Sequence, residues 1–281
     1  MTLKTRTKDL VAGVACLTLF IAVAAYIWIP MLWMVLTSFK SRQDIARGQV
    51  WVPENPTFES YVNAIYRDEL PKYFLNSTLV AVGVALVALA IAYPAAYAFS
   101  RYMRIRGMTT ASTSVMAVWA VPPVLLILPY FLIFQISGLY DTRLGLVIAH
   151  ISLTLPITVW ILRGFFAGIP VDLEEAAMVD GCTRWGALLR IIAPLTLPGA
   201  ASAALLAFTM SWDDLILSLA LTSSEVAQTI PVRISMYFGY WGFYWPDVAA
   251  FCVLSTMPIL VLYYVLQRYF IHGLTMGAVK R

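Results

Sequence analysis

Long apolar stretches, each about as long as a bilayer is thick, alternate along the chain with short charged segments. A helix rising about 1.5 Å per residue needs about 20 mostly apolar residues to cross a hydrocarbon layer of roughly 30 Å. Six stretches meet that length: 10–39, 74–100, 110–137, 144–166, 195–221 and 247–271. They are continuously apolar, without the period-two alternation of a barrel strand, so helices are predicted. Pro30, Pro94, Pro122, Pro123, Pro129, Pro156 and Pro258 fall inside them, which predicts kinks whose freed backbone groups are satisfied by neighbouring helices. The pattern predicts an all-α integral membrane protein, six transmembrane helices forming one domain over residues 1–281.

Composition agrees. Apolar residues make up 61% and charged residues 12% of the 281, with a mean hydropathy of +0.80. A soluble domain has about 45–50% and about 25%. A soluble enzyme and a disordered chain are excluded. The net charge of +4 carries no basic run, so a nucleic-acid partner is excluded too. Cys16, Cys182 and Cys252 are odd in number and scattered, and support neither a disulfide framework nor a metal site. The first apolar stretch is too long for a signal-peptide core and reads as a retained span.

Basic residues set the orientation. With the N-terminus in the cytoplasm, 12 of the 19 Lys and Arg lie inside, Arg101, Arg104 and Arg106 most tightly clustered, and five of the other seven occupy the long outer segment 40–72. The positive-inside rule then predicts both termini in the cytoplasm.

The inner connection 167–194 is long for a turn and not uniformly polar. Asp172 and Glu175 have capping-box spacing, which predicts a helix start. Gly181 suits the left-handed residue that ends it. Thr183 is predicted to cap a second short helix, on which Trp185, Leu188, Leu189 and Ile192 form one apolar face. Two short helices at a glycine corner make a knob that a soluble partner can grip.

At these residues the chain resembles the permease subunits of ATP-driven (ABC) importers. Their signature on this loop is E-A-A, three residues, G, nine residues, I, one residue, L-P. It is matched by Glu175-Ala176-Ala177, Gly181, Ile191 and Pro194, with Ala193 in place of the leucine. The carbohydrate (maltose-permease-like) group is resembled further at Pro30–Lys40, Asn76-Ser77, Ala96–Tyr102, Gly138–Thr142 and Gly273–Arg281; it usually has Asn where Asp213 stands in Ser211-Trp212-Asp213-Asp214.

The resemblance implies that the loop is a coupling helix seated in a cleft of an ATPase. Glu174, Glu175, Ala176, Ala177, Asp180, Gly181, Trp185, Ile191 and Pro194 would carry the contact, with Glu175 facing basic residues. It implies a second permease subunit, two ATP-binding ATPase subunits, an extracytoplasmic substrate-binding protein, a carbohydrate substrate and a location in the bacterial inner membrane. A plain capping role for Glu175 is compatible with that reading.

No phosphate-binding G-x-x-x-x-G-K-[ST] occurs, so the chain is not itself the ATPase. It is assigned no catalytic residue and no cofactor, ATP and Mg belonging to partner chains. Ion coupling would need ionisable groups deep in the membrane, and only His150, Asp213 and Asp214 qualify. Sugar-binding candidates within the spans are Trp119, Gln135, Thr154, Thr158, Trp160, Ser211, Trp212, Asp213 and Asp214; the alternative for each is interhelical packing. Seven aromatics in the nine residues Tyr237–Trp245 form either an interfacial belt or, by resemblance, a loop (Tyr240, Trp241, Phe243, Tyr244) that reaches the binding protein. The basic tail either enters the ATPase interface, as the resemblance implies, or is a frayed terminus. The competing functions are an importer permease for glycerol phosphate or a polyamine, an ion-coupled carrier working alone, and a membrane-embedded enzyme.

Overall fold

Pro122 and Pro123 break the third apolar stretch. A residue before proline is driven out of the α region, and Pro122 accordingly takes φ −59° and ψ 130°. In the computed structural model, which describes residues 2–48, 51–237 and 244–278 and the side chains of 12–48, 51–237 and 244–267, the helices on either side of this break meet at 94°.

Every described element is helical. In chain order they are α1 (Thr2–Ser38), α2 (Arg42–Ala46), α3 (Glu59–Val62), α4 (Leu70–Arg101), α5 (Met108–Val118), α6 (Ile127–Ser137), α7 (Arg143–Ala167), α8 (Asp172–Val179), α9 (Arg184–Ala187), α10 (Ala193–Trp212), α11 (Ile216–Leu221), α12 (Ile230–Met236) and α13 (Trp245–Ala278). Five continuous helices are long and apolar enough to span: Ala12–Ser38, Leu70–Arg101, Arg143–Ala167, Arg184–Trp212 and Trp245–Gln267; the bent pair Met108–Val118 and Pro123–Ser137 makes up to six.

Two differences from the apolar pattern stand out. The stretch 195–221 is not one span, because its helix stops at Trp212 and α11 begins anew at Ile216. The second short helix of the connection 167–194 is not separate either. It runs on through a π-helical turn, Leu188–Ile192, into α10, and Pro194, just past that turn, and Pro198 each remove an amide donor without ending the helix.

The chain divides into two compact units. In the first, Met1–Leu70 with Tyr240–Ser255, no residue in the most apolar window of α1 is buried by the chain itself. Ser41 starts α2 through a capping box with Asp44. Arg67 pairs with Asp68 at 3.0 Å and Asp247 at 2.6 Å.

The second unit is Pro71–Gly239 with Thr256–Arg281. There α4 buries a seam of small residues, Ala81, Ala85, Ala88, Ala92 and Ala96, the spacing that lets membrane helices approach closely. One apolar cluster joins Ala92, Ala96 and Phe99 to Val159, Leu162, Phe166, Leu188, Ile192 and Ala203. A second joins Val80 and Val84 to Phe134, Leu146, Ala149, Leu217 and Leu221. α10 packs on α7 so closely that a Cβ on Gly199 would run into the Phe165 ring.

Candidate functional site

Pro170 and Val171 lead into α8. Val171 is already helical (φ −63°, ψ −30°) and offers no side-chain cap, so the capping box predicted for Asp172 and Glu175 does not form. The amides of Glu174 and Glu175 instead bond the Val171 carbonyl at 2.9 and 3.1 Å. Asp172, Glu174 and Glu175 all stand in the first turn, where the helix dipole favours negative charge. Gly181 ends α8 as predicted, at φ +90°. Its amide bonds Met178 O at 3.1 Å and the Cys182 amide bonds Ala177 O at 3.0 Å, the two bonds of a Schellman turn. Thr183 then caps the next helix through the Gly186 amide at 3.1 Å.

This turn splits the predicted residues between two faces. Glu175, Ala176, Asp180, Gly181, Trp185 and Pro194 are exposed and Ile191 is half-buried, while Glu174 and Ala177 are buried. The apolar face predicted from Trp185 to Ile192 divides as well. Leu188 and Ile192 are buried, but Trp185 and Leu189 are open, because the π-turn widens the helix and takes the positions off a 3.6-residue period. The exposed side thus carries Val179, Trp185, Leu173 and Val171 beside the acids.

Beneath α8 lies a buried ion pair. Arg101, the last residue of α4, donates from Nε to Glu174 Oε1 at 2.6 Å. Its other nitrogens donate to the carbonyls of Phe166 and Ile169 at 3.0 and 3.1 Å. Tyr97 donates its hydroxyl to Glu174 Oε2 at 2.8 Å. The two charged side chains are only 8% and 9% exposed; stranding either one would cost about 3–5 kcal/mol. The pair borders a cavity of about 220 Å³ whose walls include Tyr102, Glu175 and Arg184.

A second buried polar cluster sits at the break after α10. His150 places Nδ1 at 2.8 Å from Ser211 Oγ and Nε2 at 3.1 Å from Asp214 Oδ2. The Ser218 amide donates to the same Asp214 oxygen at 2.9 Å. A ring protonated on Nε2 satisfies the two nearest partners, donating to the Asp214 carboxylate and accepting from the Ser211 hydroxyl. One imidazole on α7 therefore meets Ser211 at the end of α10, Asp214 within the break and Ser218 on α11.

The sugar-binding candidates do not converge. Thr158 and Thr154 are buried and bond carbonyls of their own helix. Trp212 is buried between Phe208 and Phe74, and Ser211 serves His150. Trp119, Trp160, Gln135 and Asp213 are open, and Asp214 is half-buried. Of the aromatic loop, Tyr240, Trp241 and Phe243 lie outside the described residues; Tyr244 meets Arg42, whose guanidinium is 5.6 Å from the ring centre. Among the described residues no group of three His, Cys, Asp or Glu could hold a metal ion.

Residues 108–276 match the family described as the inner membrane component of binding-protein-dependent transport systems. The sulfoquinovosyl glycerol transport system permease SmoH of Agrobacterium fabrum is 34% identical over 89% of this chain and 88% of that protein. The trehalose transport system permease SugB of Mycobacterium tuberculosis is 34% identical over 92% of this chain and 94% of its own. The chain belongs to this family. The permease is therefore a multi-pass inner membrane transport subunit. Its fold matches a chain in the crystal structure of a bacterial ABC transporter that imports the polysaccharide alginate, with a TM-score of 0.80 at 23% identity over 94% of this chain and 98% of that one.

The inward role of Glu174 is not legible in the sequence, where Arg101 counts toward orientation and within the resembling stretch Ala96–Tyr102. The two lie 73 residues apart, and no local pattern announces such a pair. The polarity of Ala96–Tyr102, where two tyrosines flank the arginine at the end of an apolar run, is the one trace of it.

Proposed function

We propose that this permease subunit passes a carbohydrate or related polyol across the membrane, driven by separate ATPase subunits that dock on α8 and the Gly181 turn. A second permease subunit completes the pathway, and a substrate-binding protein delivers the solute on the opposite face. ATP and Mg are held by the ATPases. The positive-inside distribution supports a cytoplasmic position for α8 and both termini.

The observation that carries the reading is the exposed side of α8. Val179 is 87% and Trp185 65% exposed, next to Glu175 and Asp180, on a connection between spans. Large apolar side chains presented to water, rimmed by charge and held on a Schellman turn, make a protein-docking surface and not a lipid-facing one. Relatives named for transport of trehalose, diacetylchitobiose and sulfoquinovosyl glycerol support a carbohydrate over glycerol phosphate or a polyamine. So does the placement of every Arg and Lys within about two turns of a span's end or beyond it, since a phosphate substrate calls for a cation in the middle of the spans.

A photo-crosslinking residue at Val179 in native membranes tests the docking. Capture of a P-loop ATPase is the outcome this reading predicts; capture of lipid alone, or of another copy of the chain, would overturn it. Uptake measurements with labelled trehalose, chitobiose, glycerol phosphate and spermidine then separate the substrate classes.

A further inference from the structure

The Arg101–Glu174 pair is not needed to shape α8, whose start and end are closed by its own backbone bonds. It does something else. α8 continues through the Gly181 turn and Thr183 into α10, so any push on α8 reaches α10 along the chain. It has no such covalent route to α4, whose last residue, Arg101, lies 73 positions earlier. The guanidinium supplies that route. One side chain grips the carboxylate on α8, the Phe166 carbonyl at the end of α7 and the Ile169 carbonyl just beyond it. Tyr97, one turn back on α4, holds the second carboxylate oxygen. Four hydrogen bonds, nearly all shielded from water, fix α8 to two spans at once, with planar donors that restrict its rotation as well as its distance.

We infer that Arg101 and Glu174 are positioning residues that lock α8 rigidly to α4 and α7, so that a stroke delivered to α8 moves both spans with it as one body. This rests on the docking of an ATPase proposed above. Glu174, although adjacent to Glu175, is thus an internal strut and not part of the docking surface.

The test uses the intact transporter purified through a tag on this chain. Cys16 and Cys252 are changed to Ser, and spin labels are placed on Cys182, just past α8, and on Val87→Cys, an exposed α4 position about 21 Å along the helix from Arg101. Distances are read without nucleotide and with ATP trapped by vanadate. The wild type should give one narrow distance, the same in both states. Arg101→Gln and Glu174→Gln should still co-purify the ATPase and hydrolyse ATP, but lose the fixed distance on trapping. Arg101→Lys, which keeps the charge but not the planar fork, should keep the ATPase and restore the fixed distance only in part. A wild-type distance that shifts on trapping, or a neutral variant that keeps the narrow distance, would overturn the inference. So would loss of the ATPase from the lysine variant along with the neutral ones, because the pair would then only hold the fold. A wild-type complex without any ATPase is a different result and refutes the docking itself.

Discussion

Gly181 occupies a conformation that costs an ordinary residue about 1–2 kcal/mol, more where the side chain is branched at Cβ. Asn tolerates that region, so Gly181→Asn should keep the α8 turn and ATPase co-purification, while Gly181→Val should lose both; pull-down yields from equal membrane amounts check this. Asp141 offers a second residue-level test. It too has a positive φ, 58°, and its carboxylate accepts from the Ser223 and Ser224 amides at 2.9 and 3.0 Å. Burial works to raise its pKa, but the hydrogen bonds from Ser224 and Ser223 outweigh it and hold the carboxyl below its ordinary value. A group depressed by folding stabilises above its unfolded-state pKa and loses that contribution as pH falls through the folded one. The thermal midpoint in detergent should therefore drop on acidification below the ordinary carboxylate range, and Asp141→Asn, which keeps the turn, should be less stable at neutral pH and flatten that drop. Gly181 and Thr183 were legible in the sequence because their work is done within four residues. The capping box was not, because Pro170 and Val171 start the helix one position early, and a spacing of three says nothing of which amide is already bonded.

Helix packing decides the next scale. α7 and α10 touch where Gly199 faces Phe165, and a side chain there cannot be placed without moving the ring. Gly199→Val should destabilise the protein by about 1–3 kcal/mol through overpacking, and Phe165→Ala in the same chain should recover part of that loss, as thermal melts of single and double variants would show. The apolar pattern located the spans because bilayer thickness is written directly into run length. It misplaced the end of the fifth stretch because residues 215–221 are as apolar as those before them. The break is marked by His150, some 60 residues earlier, which bonds Ser211 before it and Asp214 within it, a contact no local pattern shows. The third stretch hid its 94° bend for the opposite reason. Its two prolines were visible, but proline alone does not say whether a helix kinks or folds back, and the packing of α6 on α11 is a matter of tertiary structure.

At the scale of the whole molecule, the family was legible from twenty residues whose spacing is fixed by a turn that has to protrude. The structure adds how that turn is presented: Glu175, Val179 and Trp185 outward, Glu174 and Ala177 inward. The solute pathway was less legible, since buried Thr158, Ser211 and Trp212 are spent on packing and hydrogen bonds within the chain. In the docking proposed above, the chain works only when a separate ATPase grips α8. The most direct measurement of that docking is the protein composition of the complex that a tag on this chain recovers from native membranes in mild detergent. The expected recovery is a P-loop ATPase and a second permease, with the ATPase lost from Val179→Glu, which places a charge in the apolar part of the docking surface and touches nothing inside. Recovery of the chain alone, or equal recovery of the ATPase with Val179→Glu, would contradict it.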